Sequence, residues 1–146
     1  MTTAKEILTL IENADPSDSD ALDEIDAKLH CFLNEQEYER HYIEDYNTLL
    51  PQLRISYKDS GVEPFDCILL YRYTRSRDAL KRIRPEGWNI DINSHLQMLP
   101  FAKAKIYISG GYRDREAYFS PELPAEELAE LHAIVQSIEW TRQNEE

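Results

Sequence analysis

No stretch of this 146-residue chain approaches the run of about 18 apolar residues that a membrane-spanning helix needs. Met1 to Ile11 also lacks the basic-then-apolar order of a signal peptide, so a cytoplasmic protein without membrane association is expected. Cysteine is scarce. Cys31 and Cys67 lie far apart and form no CxxC pair, which fits small core residues in a reducing compartment better than a disulfide or half a metal site. His30, His41, His95 and His132 fall in no HxH or HExxH spacing, and His30 lies on a different helix face from Cys31, so no metal is expected. Glycine is scarce too. Gly110-Gly111 has neither the GxGxxG frame nor the lysine and hydroxyl of a phosphate-cradling loop, and a hairpin turn accounts for it. No GxSxG is present, nor a cysteine with a motif-bound histidine, so nucleophilic catalysis has no candidate residue. Asp91 and His95 could be drawn as an acid and a base, yet Asp91 falls on the outward side of an alternating strand. These gaps argue against an enzyme and against a bound cofactor.

What the chain has in quantity is acid. It carries 28 acidic residues against 16 basic ones, a net charge of −12, spread unevenly. Residues 1–46 hold 13 acids and three bases, whereas residues 72–84 hold six bases, Arg72, Arg75, Arg77, Lys81, Arg82 and Arg84, and the single acid Asp78. An acidic protein with one basic strip results. At this length a single domain over 1–146 buries roughly 70% of its unfolded surface without cross-links, and the sequence shows no internal repeat or low-complexity tract.

The periodicities place most elements. Thr3 and Glu6 form a capping box ahead of Ala4, Ile7, Leu8 and Ile11, which predicts a helix from Ala4 to Asn13. Asp20 is the expected cap of a second helix, whose Leu22, Ile25, Leu29 and Phe32 share one face; Asp23, Glu24 and Asp26 are expected on the solvated side. Tyr38, Tyr42 and Tyr46 are spaced by four, which predicts a third helix to about Leu49, followed by a loop or irregular strand to Glu63. Phe65 to Tyr71 reads as a buried strand or an extended segment leading into the stretch that follows. Ser76 caps a helix to Arg84 that Pro85 stops, and Glu86-Gly87 turns the chain into Trp88. Strands follow over Trp88–Ile92, Lys103–Ile108 and Glu116–Phe119, with alternate residues inward. Pro124 then starts a helix in which Leu128, Leu131, Val135 and Ile138 repeat the three-four-three step. The expected class is α+β, a three-layer α-β-α sandwich with a small antiparallel sheet flanked by N-terminal and C-terminal helices.

The run YTRSRDALKRIRPEGW from Tyr73 to Trp88, with LDEIDAKL at Leu22 to Leu29 before it, resembles the phage ABA sandwich domain family of bacteriophages and prophages. The resemblance implies the three-layer fold, a viral or prophage origin and a bacterial host cytoplasm; it implies no reaction. Residues 35–63 match nothing in that family and read as an insertion, where individual function tends to reside.

The leading functional expectation is a non-enzymatic phage or prophage accessory protein that contacts a host or phage protein. A specific form is an acidic inhibitor or nucleic-acid mimic presenting Glu35, Glu39, Glu44 and Asp45 with carboxylates of the second helix. Tyr38, Tyr42 and Tyr46 beside them are either core or a contact surface, including that of a homodimer. The alternative is nucleic-acid or nucleotide binding through Arg72, Arg75, Arg77, Lys81, Arg82 and Arg84, with Tyr71 or Tyr73 stacking on a base. Against it stands the global field, which repels a polyanion. Internal salt bridging of the strip ranks first, a protein partner second and nucleic acid third.

Overall fold

A computed structural model of the chain describes residues 3–34, 38–44, 52–57, 68–69, 72–95, 101–110 and 113–144. The first helix, α1 (Ala4–Glu12), begins as expected, with the Thr3 side chain accepting a hydrogen bond from the Glu6 amide at 3.2 Å. It buries Ala4, Ile7 and Ile11. The second, α2 (Ser19–Asn34), starts slightly earlier than expected: Asp18, not Asp20, accepts from the Ala21 amide, at 3.2 Å. A turn in which Asp15 Oδ1 accepts from the Ser17 amide and hydroxyl (2.9 and 2.7 Å) delivers Asp18 to that position.

Where it is described, the predicted third helix is not a helix. Tyr38–Glu44 is a strand, β1, paired antiparallel with β2 (Gln52–Tyr57), and β2 also pairs with β3 (Ile68–Leu69). A spacing of four is an even number as well as nearly one helical turn, so it fits one face of a strand as readily as one edge of a helix. Long-range pairing decides between them. Glu35, Asp45, Tyr46 and Tyr71 lie outside the described residues.

In α3 (Arg77–Ile83) the local plan holds. Ser76 accepts from the Ala79 amide at 3.2 Å, and Arg84, ahead of Pro85, takes extended angles (φ −64°, ψ 124°) as a residue before proline must. Gly87 then adopts φ +88° and nothing lies within 4 Å of where a Cβ would sit, so a substitution there is opposed by backbone strain alone. Gly87→Ala is expected to cost about 1–2 kcal/mol, read as a shift in the urea midpoint; an unchanged midpoint would show that the turn relaxes freely.

A second sheet follows, β4 (Asn89–His95), β5 (Phe101–Gly110) and β6 (Arg113–Phe119), antiparallel in that order, with Asp91 opposite Lys105 and Lys105 opposite Phe119. The last helix, α4 (Glu126–Asn144), packs along β5 and touches β4 and β6. The class is α+β: the described residues form four helices and small antiparallel sheets, with helices drawn from both ends of the chain.

Helix α4 is enclosed on all sides along its middle turns. Leu128, Ala129, Glu130, Leu131, His132, Ala133, Ile134 and Val135 are buried without a break, so α4 has no wet face there and is more than the amphipathic helix its three-four-three step suggested. It lies between β4-β5-β6 on one side and α1 and α3 on the other, with α2 stacked on α1. Helices from both ends of the chain thus accompany the small antiparallel sheet, as expected, with α4 touching the sheet as well as α1 and α3. One apolar cluster runs from Ala4 through Leu80, Ile106 and Ile138. Trp88 closes it between Tyr118 (ring centroids 6.0 Å) and Trp140 (5.7 Å, edge-on). No helix among the described residues is long and apolar enough to cross a membrane.

Candidate functional site

Arg75 and Arg77 of the basic strip are both tied to acids of this chain, Arg75 half-buried and Arg77 at the surface. The Arg75 guanidinium meets Asp23 and, at 3.0 Å, Asp26 Oδ2 on α2, while its Nε is buried without a hydrogen-bond partner among the described residues. Asp26 also accepts from the Thr74 amide (2.9 Å) and hydroxyl (3.0 Å). Burial pushes Asp26 up to about 6, against the pull of the Thr74 amide and of Arg75. Burial works to lower Arg75, but its two carboxylates outweigh that and hold it above its ordinary value. Arg77 reaches Glu130 (3.3 Å) and Glu126 (3.4 Å) on α4, and burial raises Glu130 despite Arg77 and Arg84. Lys81, Arg82 and Arg84 are exposed, Lys81 standing 3.8 Å from Asp78; Arg72 is half-buried.

Two expectations change. Asp23 and Asp26 are buried, not solvated, so neither is available to imitate phosphate. Asp26 follows Leu22 by four and precedes Leu29 by three, which places it on the apolar stripe; its charge hid that position. Tyr73 is buried as well and cannot stack on a base. Tyr38, Glu39, Arg40, Tyr42 and Glu44 lie on β1, where Tyr38 pairs with Tyr57 and Tyr42 with Arg54 in backbone register.

The histidines divide similarly. His132 is buried on α4; its Nδ1 accepts from Gln136 Nε2 (2.9 Å), which also donates to the Phe119 carbonyl (2.9 Å). That fixes the ring proton on Nε2, 3.0 Å from Glu12 Oε1. The chain of bonds ties α1, α4 and β6 together. His30 is half-buried, and burial lowers its pKa. No group of three or more His, Cys, Asp or Glu side chains among the described residues could hold a metal ion.

Among the described residues, an open surface lies on the side of β4-β5-β6 that faces away from α4. Ala104 and Ile106 turn inward and are fully buried, so by alternation Lys103, Lys105 and Tyr107 share the other face. Asp91 and Asn93 of β4 and Phe119 of β6 stand beside them through the strand register. Phe119 is 55% exposed, and Lys105 Nζ sits 4.8 Å from the Tyr107 ring centre and 5.8 Å from that of Phe119. Asp91, Asn93, Lys103, Ala104, Lys105 and Phe119 line a shallow concavity of about 220 Å³.

No family model, curated protein or solved structure matches the chain. The phage ABA sandwich resemblance thus rests on the two sequence runs alone. Chemically, the open face offers an aromatic surface, two ammonium groups and a carboxylate at fixed spacing. These are means of recognition. Sequence alternation had already turned Lys103, Lys105 and Tyr107 outward; the missing information was that no helix among those described covers them.

Proposed function

We propose that the protein works by binding rather than by catalysis, as a phage or prophage accessory protein in the bacterial cytoplasm that contacts a host or phage protein through the open face of β4-β5-β6. The observation that carries this is Phe119, a large apolar side chain left 55% exposed among lysines on a sheet whose other side is packed. Asp26, the carboxyl that burial lifts to about 6, supports the same reading, because it is fully enclosed and cannot reach a substrate. A basic strip with Arg75 and Arg77 engaged internally favours a protein partner over nucleic acid, for which Lys81, Arg82 and Arg84 remain exposed.

Lysine acetylation footprinting in bacterial lysate tests the proposal. Lys103 is expected to be protected relative to the purified chain while Lys81 is unchanged. Protection of Lys81 alone would move the contact to the basic strip, and protection of neither would remove the reading.

A further inference from the structure

The β4-β5-β6 sheet has two outer strands, and the sequence treats them differently. β6 begins Arg113-Asp114-Arg115-Glu116, and its register with β5 skips Arg115, pairing Ile108 with Glu116 and Ser109 with Asp114. Charges and a bulge are the usual guards against pairing with another chain. β4 has neither guard. Its seven pairs with β5 run without a shift, Asp91 is its one acid or base apart from His95, and no strand lies beyond it among the described residues. Exposure marks the same border: Ile106 and Ala104 are fully buried, while Ile90 and Ile92, their partners across the ladder, are only half-buried. We infer that β4 pairs antiparallel with β4 of a second copy, about a two-fold axis through Ile92, and joins two sheets into one of six strands.

The strand is its own complement. A two-fold axis normal to the sheet keeps both α4 helices on one side, and with Ile92 on the axis all seven residues find a partner, 89 opposite 95 and 90 opposite 94. Asp91 then faces Asn93 of the second copy, twice over, and Ile92 faces its own copy on the α4 side. Placing Asp91 on the axis would oppose two carboxylates, and placing Asn93 there would pair only 91–95. The two chains carry −12 each, but charges separated by more than about 8 Å are largely screened at physiological salt, and β4 brings one carboxylate per copy to the contact. Repulsion between the remainders keeps the association weak. Asp91 and Asn93 also border the open concavity, so the pairing sets two concavities side by side, with Asn93 of one copy beside Asp91 of the other. A partner protein then meets two such surfaces at once, whatever the face binds.

Sedimentation equilibrium of the full chain at about 1–500 μM is the first test, with a dimer expected at a Kd on the order of 10–100 μM that tightens as salt rises. The register is tested by oxidising an equal mixture of the Asp91→Cys and Asn93→Cys proteins, both changed at exposed positions. A disulfide between the two variants is expected in about 5-fold excess over disulfides within either variant alone, because like positions are diagonal neighbours about 7–8 Å apart, too far to bridge. The unaltered chain, whose Cys31 is buried, supplies the background. A monomer throughout the range overturns the inference. So does a dimer in which the mixture cross-links no better than its components, which would move the contact to the Phe119 face or to β1-β2-β3.

Discussion

Replacing Arg75 by methionine is expected to destabilise the protein by about 3–5 kcal/mol at pH 7, a large part of the 5–15 kcal/mol that holds an ordinary domain folded. Methionine keeps the apolar stem and removes the guanidinium. Asp23 and Asp26 are then left as buried carboxylates, Asp26 with only the Thr74 amide and hydroxyl for partners. Urea unfolding measures the loss, with the exposed Lys81→Met as a control expected within about 0.5 kcal/mol of the parent. The loss should shrink towards pH 5, where Asp26 takes up a proton and one of the two stranded charges disappears. Replacing Asp23 and Asp26 by leucine and methionine in the same chain should restore most of the stability, since the penalty belongs to uncompensated charge and not to missing volume. A cost below about 1 kcal/mol for Arg75→Met would mean that water reaches the cluster and screens it.

Much of the architecture was written locally. Caps at Thr3 and Ser76, the Pro85 stop and the strands around Ile90 and Ile106 depend on neighbours in sequence, and the structure has them where alternation and helical spacing put them. The failures share a different origin. Whether Tyr38–Glu44 became helix or strand depended on Gln52–Tyr57 being available to pair with it, and a four-residue spacing is compatible with both outcomes. Asp23 and Asp26 were read as solvated because they are charged; their burial depends on Thr74 and Arg75, roughly fifty positions away.

The number of neighbours α4 takes was hard to read for a related reason. Helix α4 spans 19 residues, enough to lie along β5, and its small Ala129 and Ala133, a turn apart, let other elements approach closely. Once α4 takes α1 and α3 against its far side, those helices are no longer on the open face of β4-β5-β6. The candidate site is thus a by-product of how many neighbours α4 accepts. Its residues were legible as outward-facing, but their exposure was a property of the packing.

The same buried cluster gives the second large effect, one that depends on pH. Folded Asp26 holds its proton up to about pH 6, whereas the unfolded chain releases it near 3.8. Between those values the folded state binds more protons, so Asp26 makes stability fall as pH rises from about 4 to 6, by about 3 kcal/mol in all, and leaves it level above. Urea midpoints at unit pH intervals from 4 to 7 should show the fall, and Asp26→Asn should remove most of it. Glu130, also raised by burial, contributes in the same direction and accounts for a residual slope, while Asp15, lowered by its bonds to Ser17, opposes it. An undiminished fall in the Asp26→Asn protein would assign the proton to another group. At pH 7 the two substitutions should diverge, although each removes one member of the same contact. Asparagine leaves Arg75 with Asp23, one charge of each sign, and changes stability far less than Arg75→Met, which leaves two buried anions and no cation.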